Sequence, residues 1–179
     1  MKKRKFLLLI MSVLFFTLSI LSLASNSSND GYIASFNILR LGDSKKDIPQ
    51  TAKLLQGFDI VGLVEVMNRD GVEELLDELN KQSNEKWEYH ISPFGVGSSK
   101  YKEYFAYVYK KDKVKFIKSE GFYKDGKSSL LREPYGATFK IGNFDFTLVL
   151  VHTIYGNNEA QRKAENFKMV DVYDYFQDK

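Results

Sequence analysis

Hydrophobic and polar positions along the chain repeat with two different periods. Tyr32-Ile33-Ala34-Ser35-Phe36-Asn37 is a short run of strand formers ending on a polar amide. Residues 58–66, Phe-Asp-Ile-Val-Gly-Leu-Val-Glu-Val, read as a second, buried strand that carries one carboxylate, Glu65, near its end. Between the two, Ile48, Ala52 and Leu55 recur at helical spacing with Pro49 early, which predicts a short helix over 44–56, capped by Ser44 and closed by Gly57. Val72, Leu75, Leu76 and Leu79 repeat at three and four residues with acids opposite, predicting an amphipathic helix over 71–82.

Beyond residue 86 the period shortens to two. Residues 87–91, 103–109 and 114–122 alternate or cluster aromatic and branched side chains and read as antiparallel neighbours. Residues 135–141 and 144–151 flank Gly142-Asn143, a two-residue turn that can take the positive backbone dihedrals of a tight hairpin. The last segment, 159–176, places Ala160, Ala164, Phe167, Val170 and Tyr173 on one stripe of a terminal helix. Strands joined by hairpins and interspersed with helices predict an α+β sandwich: two mainly antiparallel β-sheets packed face to face with outer helices.

The first 24 residues stand apart from that domain. Lys2, Lys3, Arg4 and Lys5 precede a largely apolar stretch from Phe6 to Leu23, the pattern of a signal peptide, with Ser22-Leu23-Ala24 as the cleavage site and 25–31 as a polar linker. An uncleaved anchor is the alternative, since a spanning helix needs roughly 20 apolar residues. Cleavage predicts secretion to an extracellular site, with no stable membrane association afterwards. This segment also carries four of the 26 basic residues and no acid, leaving 22 against 23. The overall pI of 8.8 therefore reflects the leader and is no argument for a nucleic-acid partner. With no cysteine, disulfide scaffolds, thiolate metal sites and cysteine nucleophiles are excluded, and His90 and His152 are the only imidazoles.

Asn37 and Glu65 each end a strand, and His152 follows the apolar run 146–151, so three polar groups fall where strand ends could form one rim. Alone, each has a plainer reading: Glu65 as an exposed strand-end carboxylate, His152 as a histidine satisfied by backbone, Glu103 as half of a surface ion pair. Arg132 has Glu133 beside it as an ordinary partner, and His90 reads as a structural strand residue. Lysines outnumber acids nine to four between Lys100 and Lys127, which a solvated strand face would explain.

Five segments in order nonetheless resemble secreted nucleases of the deoxyribonuclease I type, within the endonuclease/exonuclease/phosphatase superfamily. They are Ala34-Ser35-Phe36-Asn37, the 58–66 strand with Glu65, Ser99-Lys100-Tyr101-Lys102-Glu103-Tyr104, Arg132-Glu133-Pro134, and Leu150-Val151-His152-Thr153. The Tyr-Lys-Glu segment separates deoxyribonucleases from the lipid phosphatases of the superfamily. Val64 stands where the family usually has Gln. The resemblance implies a divalent-metal-dependent endonuclease acting on DNA, with Mg2+ the expected cation and Ca2+ a second candidate; no protein partner is inferred from the sequence. It implies Glu65 as metal ligand and Asn37 as orienter of the phosphate or a metal-bound water. His152 is implied as the acid–base or charge-stabilising imidazole, held by Glu103, and Arg132, Tyr101, Lys100 and Lys102 as DNA contacts.

The family's later Gly-Asp-Phe-Asn and terminal Ser-Asp-His motifs have no counterpart in the chain. Residues 32–179 therefore read as the incomplete N-terminal portion of such a domain, C-terminally truncated. Loss of a single acid–base residue costs about 10²- to 10⁴-fold in rate, so the sequence predicts little or no activity from this chain alone. Hydrolysis of a phospholipid such as sphingomyelin and a noncatalytic DNA-binding remnant are the alternative readings.

Overall fold

The computed structural model describes residues 30–124, 126 and 130–179; the leader and most of the linker lie outside them. In chain order the elements are β1 (Ile33–Leu41), α1 (Ile48–Leu55), β2 (Ile60–Val66), α2 (Arg69–Gln82), β3 (Trp87–Ile91), β4 (Val96–Gly97), β5 (Lys102–Lys110), β6 (Val114–Phe122), β7 (Tyr135–Ile141), β8 (Phe144–Leu150) and α3 (Glu159–Gln177). One sheet runs β1-β2-β5-β3 with β4 also on β5, and the other runs β6-β7-β8. β1 and β2 are parallel, as a crossover through α1 requires, and every other pair is antiparallel. This is the sandwich that the periodicity predicts.

Alternation along the strands builds two separate cores. On β2, Val61 and Leu63 face α1 and α2 and pack with Ala52, Leu55, Val72, Leu75 and Leu79. Ile60 and Val64 point the other way, into an aromatic-rich layer between the sheets with Phe105, Tyr107, Tyr135, Phe139 and Leu150. A small third cluster seats α3 on the second sheet through Val172 and Phe176. The order of layers is helices, five-stranded sheet, three-stranded sheet, helix.

Gly62 sets how closely the sheets approach at one point. A methyl group there would lie 2.3 Å from Leu150 Cδ2, so any larger residue would have to displace the Leu150 side chain at the end of β8. In the β7–β8 hairpin, Gly142 takes a φ of 57° between the paired Ile141 and Phe144, supplying the positive dihedral that the tight turn demands.

The structure corrects three details. The cap of α1 is Asp47, whose carboxylate accepts from Gln50 N at 3.0 Å, while the Ser44 hydroxyl donates to the carbonyls of Leu39 and Arg40. Gln56, rather than Gly57, closes that helix, donating its N–H to Ala52 O. Finally, α3 turns the opposite face inward. Ala160, Ala164, Phe167, Val170 and Tyr173 are all exposed, and the inward residues are Glu165, Val172 and Phe176, with Met169 partly buried. That inward set also has helical spacing, but it contains a carboxylate, so hydrophobicity favoured the rival stripe.

Candidate active site

The site forms where β1 and β2 end side by side. Pairing is regular as far as Asn37 opposite Val64, and then both strands break register. Leu39 and Arg40 take φ values of 51° and 63°, and Glu65 takes 61°, left-handed conformations that non-glycine residues seldom adopt. An extra residue inserted in this way bends a strand and redirects a side chain. On β2 the consequence is visible in the packing: Leu63 and Val66 both face the helices, although they are three positions apart. Glu65 is thereby freed from the alternation and reaches the rim. Backbone strain at strand ends of this kind collects at functional sites.

Asn37 is locked by both ends of its amide. Its Oδ1 accepts from Leu39 N at 2.9 Å, and its Nδ2 donates to Glu65 Oε1 at 2.9 Å. His152 arrives from the end of β8, carried there by the contact that Gly62 permits. Its Nε2 lies 3.7 Å from the same Glu65 oxygen. Its Nδ1 is hydrogen-bonded to Glu103 Oε1 at 2.5 Å.

Glu103, at the start of β5, has no exposed surface, which removes the surface ion-pair reading. A carboxylate this deep needs partners of opposite charge or strong donors. It has two: His152, and Arg132, whose Nε lies 3.3 Å away in an ion pair without hydrogen-bond alignment. Arg132 Nη1 also reaches the His152 carbonyl at 3.5 Å, so the guanidinium binds both the carboxylate and the backbone of the residue that the carboxylate holds. With Glu103 as an ionised carboxylate, which only accepts, the bond requires the proton on His152 Nδ1 and leaves Nε2 towards the rim.

Tyr101 closes one side. Burial, reinforced by the charges of Glu65 and Glu103, pushes its phenol above the usual range, against the opposing pull of Arg40 and Arg132. It remains protonated at neutral pH. The Arg40 guanidinium stacks 5.1 Å from the ring centre and pairs with Asp43. Arg40 was not among the residues singled out in the sequence; it reaches the site only because the β1 bulge extrudes it.

Lys100 and Lys102 flank Tyr101 and are exposed. Three other lysines of that stretch serve elsewhere: Lys110 and Lys113 pair with buried Asp59 at 3.3 and 2.8 Å, and Lys118 pairs with Glu120 at 3.1 Å. His90 lies away from the rim, between the sheets, with Nε2 2.8 Å from the Tyr135 hydroxyl and its ring stacked on Phe116. Burial, with Arg69 adding a smaller effect, holds its imidazole below the usual range.

The donor set suits a hard cation held by few protein ligands. Glu65 keeps one oxygen without a hydrogen-bond partner among the described residues, and Asn37 and open rim lie beside it. Mg2+ retains several waters and commonly takes only one or two carboxylates. No group of three or more histidine, cysteine or acidic side chains able to hold a metal ion occurs among the described residues.

No protein-family model matches the chain. Among curated proteins it is 30% identical over 167 residues to a deoxyribonuclease of Thioalkalivibrio sp. (strain K90mix), across 92% of this chain and 46% of that protein. It is 30% identical over 156 residues to human deoxyribonuclease-1, across 79% of this chain and 53% of the relative. The chain thus spans about half the length of the curated relatives it matches. Its fold is similar to that of truncated Caenorhabditis elegans TDP2, with a TM-score of 0.54 at 20% identity, covering 83% of this chain and 57% of that one. An endonuclease/exonuclease/phosphatase family protein from Leptotrichia buccalis gives a TM-score of 0.51 at 14% identity, covering 79% and 60%. Sequence and fold agree: over about half of their length the chain is similar to deoxyribonucleases of the deoxyribonuclease I type, and its fold is that of an endonuclease/exonuclease/phosphatase family protein.

Proposed function

We propose that this chain carries the strand-end half of a divalent-cation-dependent DNA phosphodiesterase site and that the reaction it serves is endonucleolytic hydrolysis. The observation that carries this reading is the single cluster Asn37, Glu65, His152 and Glu103, linked by contacts of 2.9, 3.7 and 2.5 Å. Hydrolysing a phosphodiester requires charge neutralisation at the phosphate oxygens and protonation of the departing oxygen. Glu65 and Asn37 would hold Mg2+, and the cation when bound would neutralise phosphate charge. The Asn37 amide is pre-aligned by its two hydrogen bonds and would orient a phosphate oxygen or a water. Glu103 fixes the tautomer of His152, so Nε2 is directed at the rim and can give a proton to the leaving oxygen or stabilise its charge as imidazolium.

Tyr101 and Arg40 would form a flat stacked wall against a sugar, with Lys100 and Lys102 neutralising phosphates. Arg132 supports the site from below through Glu103, and its remaining donors favour a phosphate. The leader-like residues 1–24 support export of the protein. Agarose-gel relaxation of supercoiled plasmid tests the reading. The expected result is little or no nicking, with any that occurs requiring Mg2+, stopping with EDTA and disappearing in His152→Ala. Nicking indifferent to both, or release of phosphocholine from sphingomyelin in place of nicking, would overturn it.

A further inference from the structure

The inward face of α3 contains one residue that hydrophobic packing does not explain. Glu165 is 7% exposed on a helix whose other inward residues are apolar. Its two carboxylate oxygens are both used, and on different loops. Oε1 accepts from Leu131 N at 3.0 Å, and Oε2 accepts from Ile154 N at 2.5 Å. Leu131 immediately precedes Arg132, and Ile154 follows His152 by two residues.

Both loops are irregular, so these N–H groups have no ladder partner of their own, and a buried unpaired N–H costs about as much as a lost hydrogen bond. An apolar residue would pack as well, but it would leave two donors unsatisfied and the loops unconnected. The same loops meet again on the far side, where Arg132 Nη1 reaches the His152 carbonyl. A closed circuit results: α3 holds both loops, and the loops hold Arg132 and His152 on either side of Glu103.

We propose that Glu165 is a positioning residue for the site, holding the loops of Arg132 and His152 in the one spacing that keeps His152 Nδ1 on Glu103. It touches no reacting atom. The proposal rests on His152 as the working imidazole, but its test does not depend on hydrolysis.

The chain has two histidines, so the ring signals of 15N-labelled protein assign His152 and keep His90 as an internal control for the fold. In the wild type, the His152 Nδ1–H proton should be visible and slow to exchange. In Glu165→Gln, which keeps the volume and one acceptor, and in Glu165→Ala, that proton should exchange at least tenfold faster while the His90 ring signals stay in place. If plasmid nicking is measurable, it should fall in kcat with little change in KM. An unchanged His152 proton in folded variants would overturn the proposal. Loss of the His90 signals in both variants would overturn it too, by making the carboxylate a general requirement for folding. Absence of nicking in the wild type bears on the hydrolytic reading and leaves this readout intact.

Discussion

A carboxylate with no exposed surface, such as Glu103, is retained only where its partners compensate for lost hydration. Glu103→Ala should therefore cost about 3–5 kcal/mol in urea unfolding, because Arg132 and His152 would lose their shared anion. A change below about 1 kcal/mol, the range of an exposed pair, would show that the ion pair is peripheral. His152→Ala is expected to act differently. It should lower plasmid nicking about 10²- to 10⁴-fold, with the fold intact by circular dichroism. At this scale the cluster was legible only through the resemblance: alone, Glu65, Glu103 and His152 have plainer readings, and the ordered motifs are what single them out together with Asn37. Arg40 and Glu165 were not legible. A charged residue on a helix or in a turn reads as solvated, and nothing local says that Glu165 faces two bare N–H groups or that a bulge brings Arg40 to Tyr101.

At the scale of elements, the paired irregularities of β1 and β2 place the site. Period-two patterning located both strands, but it could not show where the alternation breaks, since Leu39, Arg40 and Glu65 have no compositional signature of positive φ. Gly62 matters for the same junction. Gly62→Val should destabilise by about 1–3 kcal/mol through overpacking against Leu150 and displace His152 from Glu65. Urea denaturation and the His152 Nδ1–H signal check the two effects together; a neutral substitution would mean that the sheets do not meet as described. The terminal helix shows the opposite limit of sequence reading. Its extent was legible to within a residue, but two stripes of equal spacing competed for the core, and the inward one was disguised by its carboxylate.

For the whole molecule, the two cores respond differently to conditions. His90 lies half-buried between the sheets, and burial holds its imidazole below the usual range. The unfolded chain therefore binds more protons in mild acid than the folded one. The contribution to stability is complete above the unfolded value of about 6.5 and is lost as pH falls through it towards the folded value. Urea midpoints should decline between pH 7.5 and 5.5, and His90→Gln should flatten that decline. The outer surface carries a further consequence. Phe167, Val170 and Tyr173 are 78%, 63% and 63% exposed on α3, and β8 forms an open edge of its sheet among the described residues. Contiguous apolar surface beside an unpaired edge promotes association. Light scattering should show growth in mass with concentration, reduced by serine at the three positions; a single species at all concentrations would contradict this.

The central claim is that Glu65, Asn37 and His152 surround one cation position, and paramagnetic broadening tests it most directly. Substoichiometric Mn2+, standing in for Mg2+, should broaden the His152 ring signals and leave those of His90 sharp, and Glu65→Gln should abolish the effect. Equal broadening of both histidines, or broadening of His152 that persists in Glu65→Gln, would contradict it.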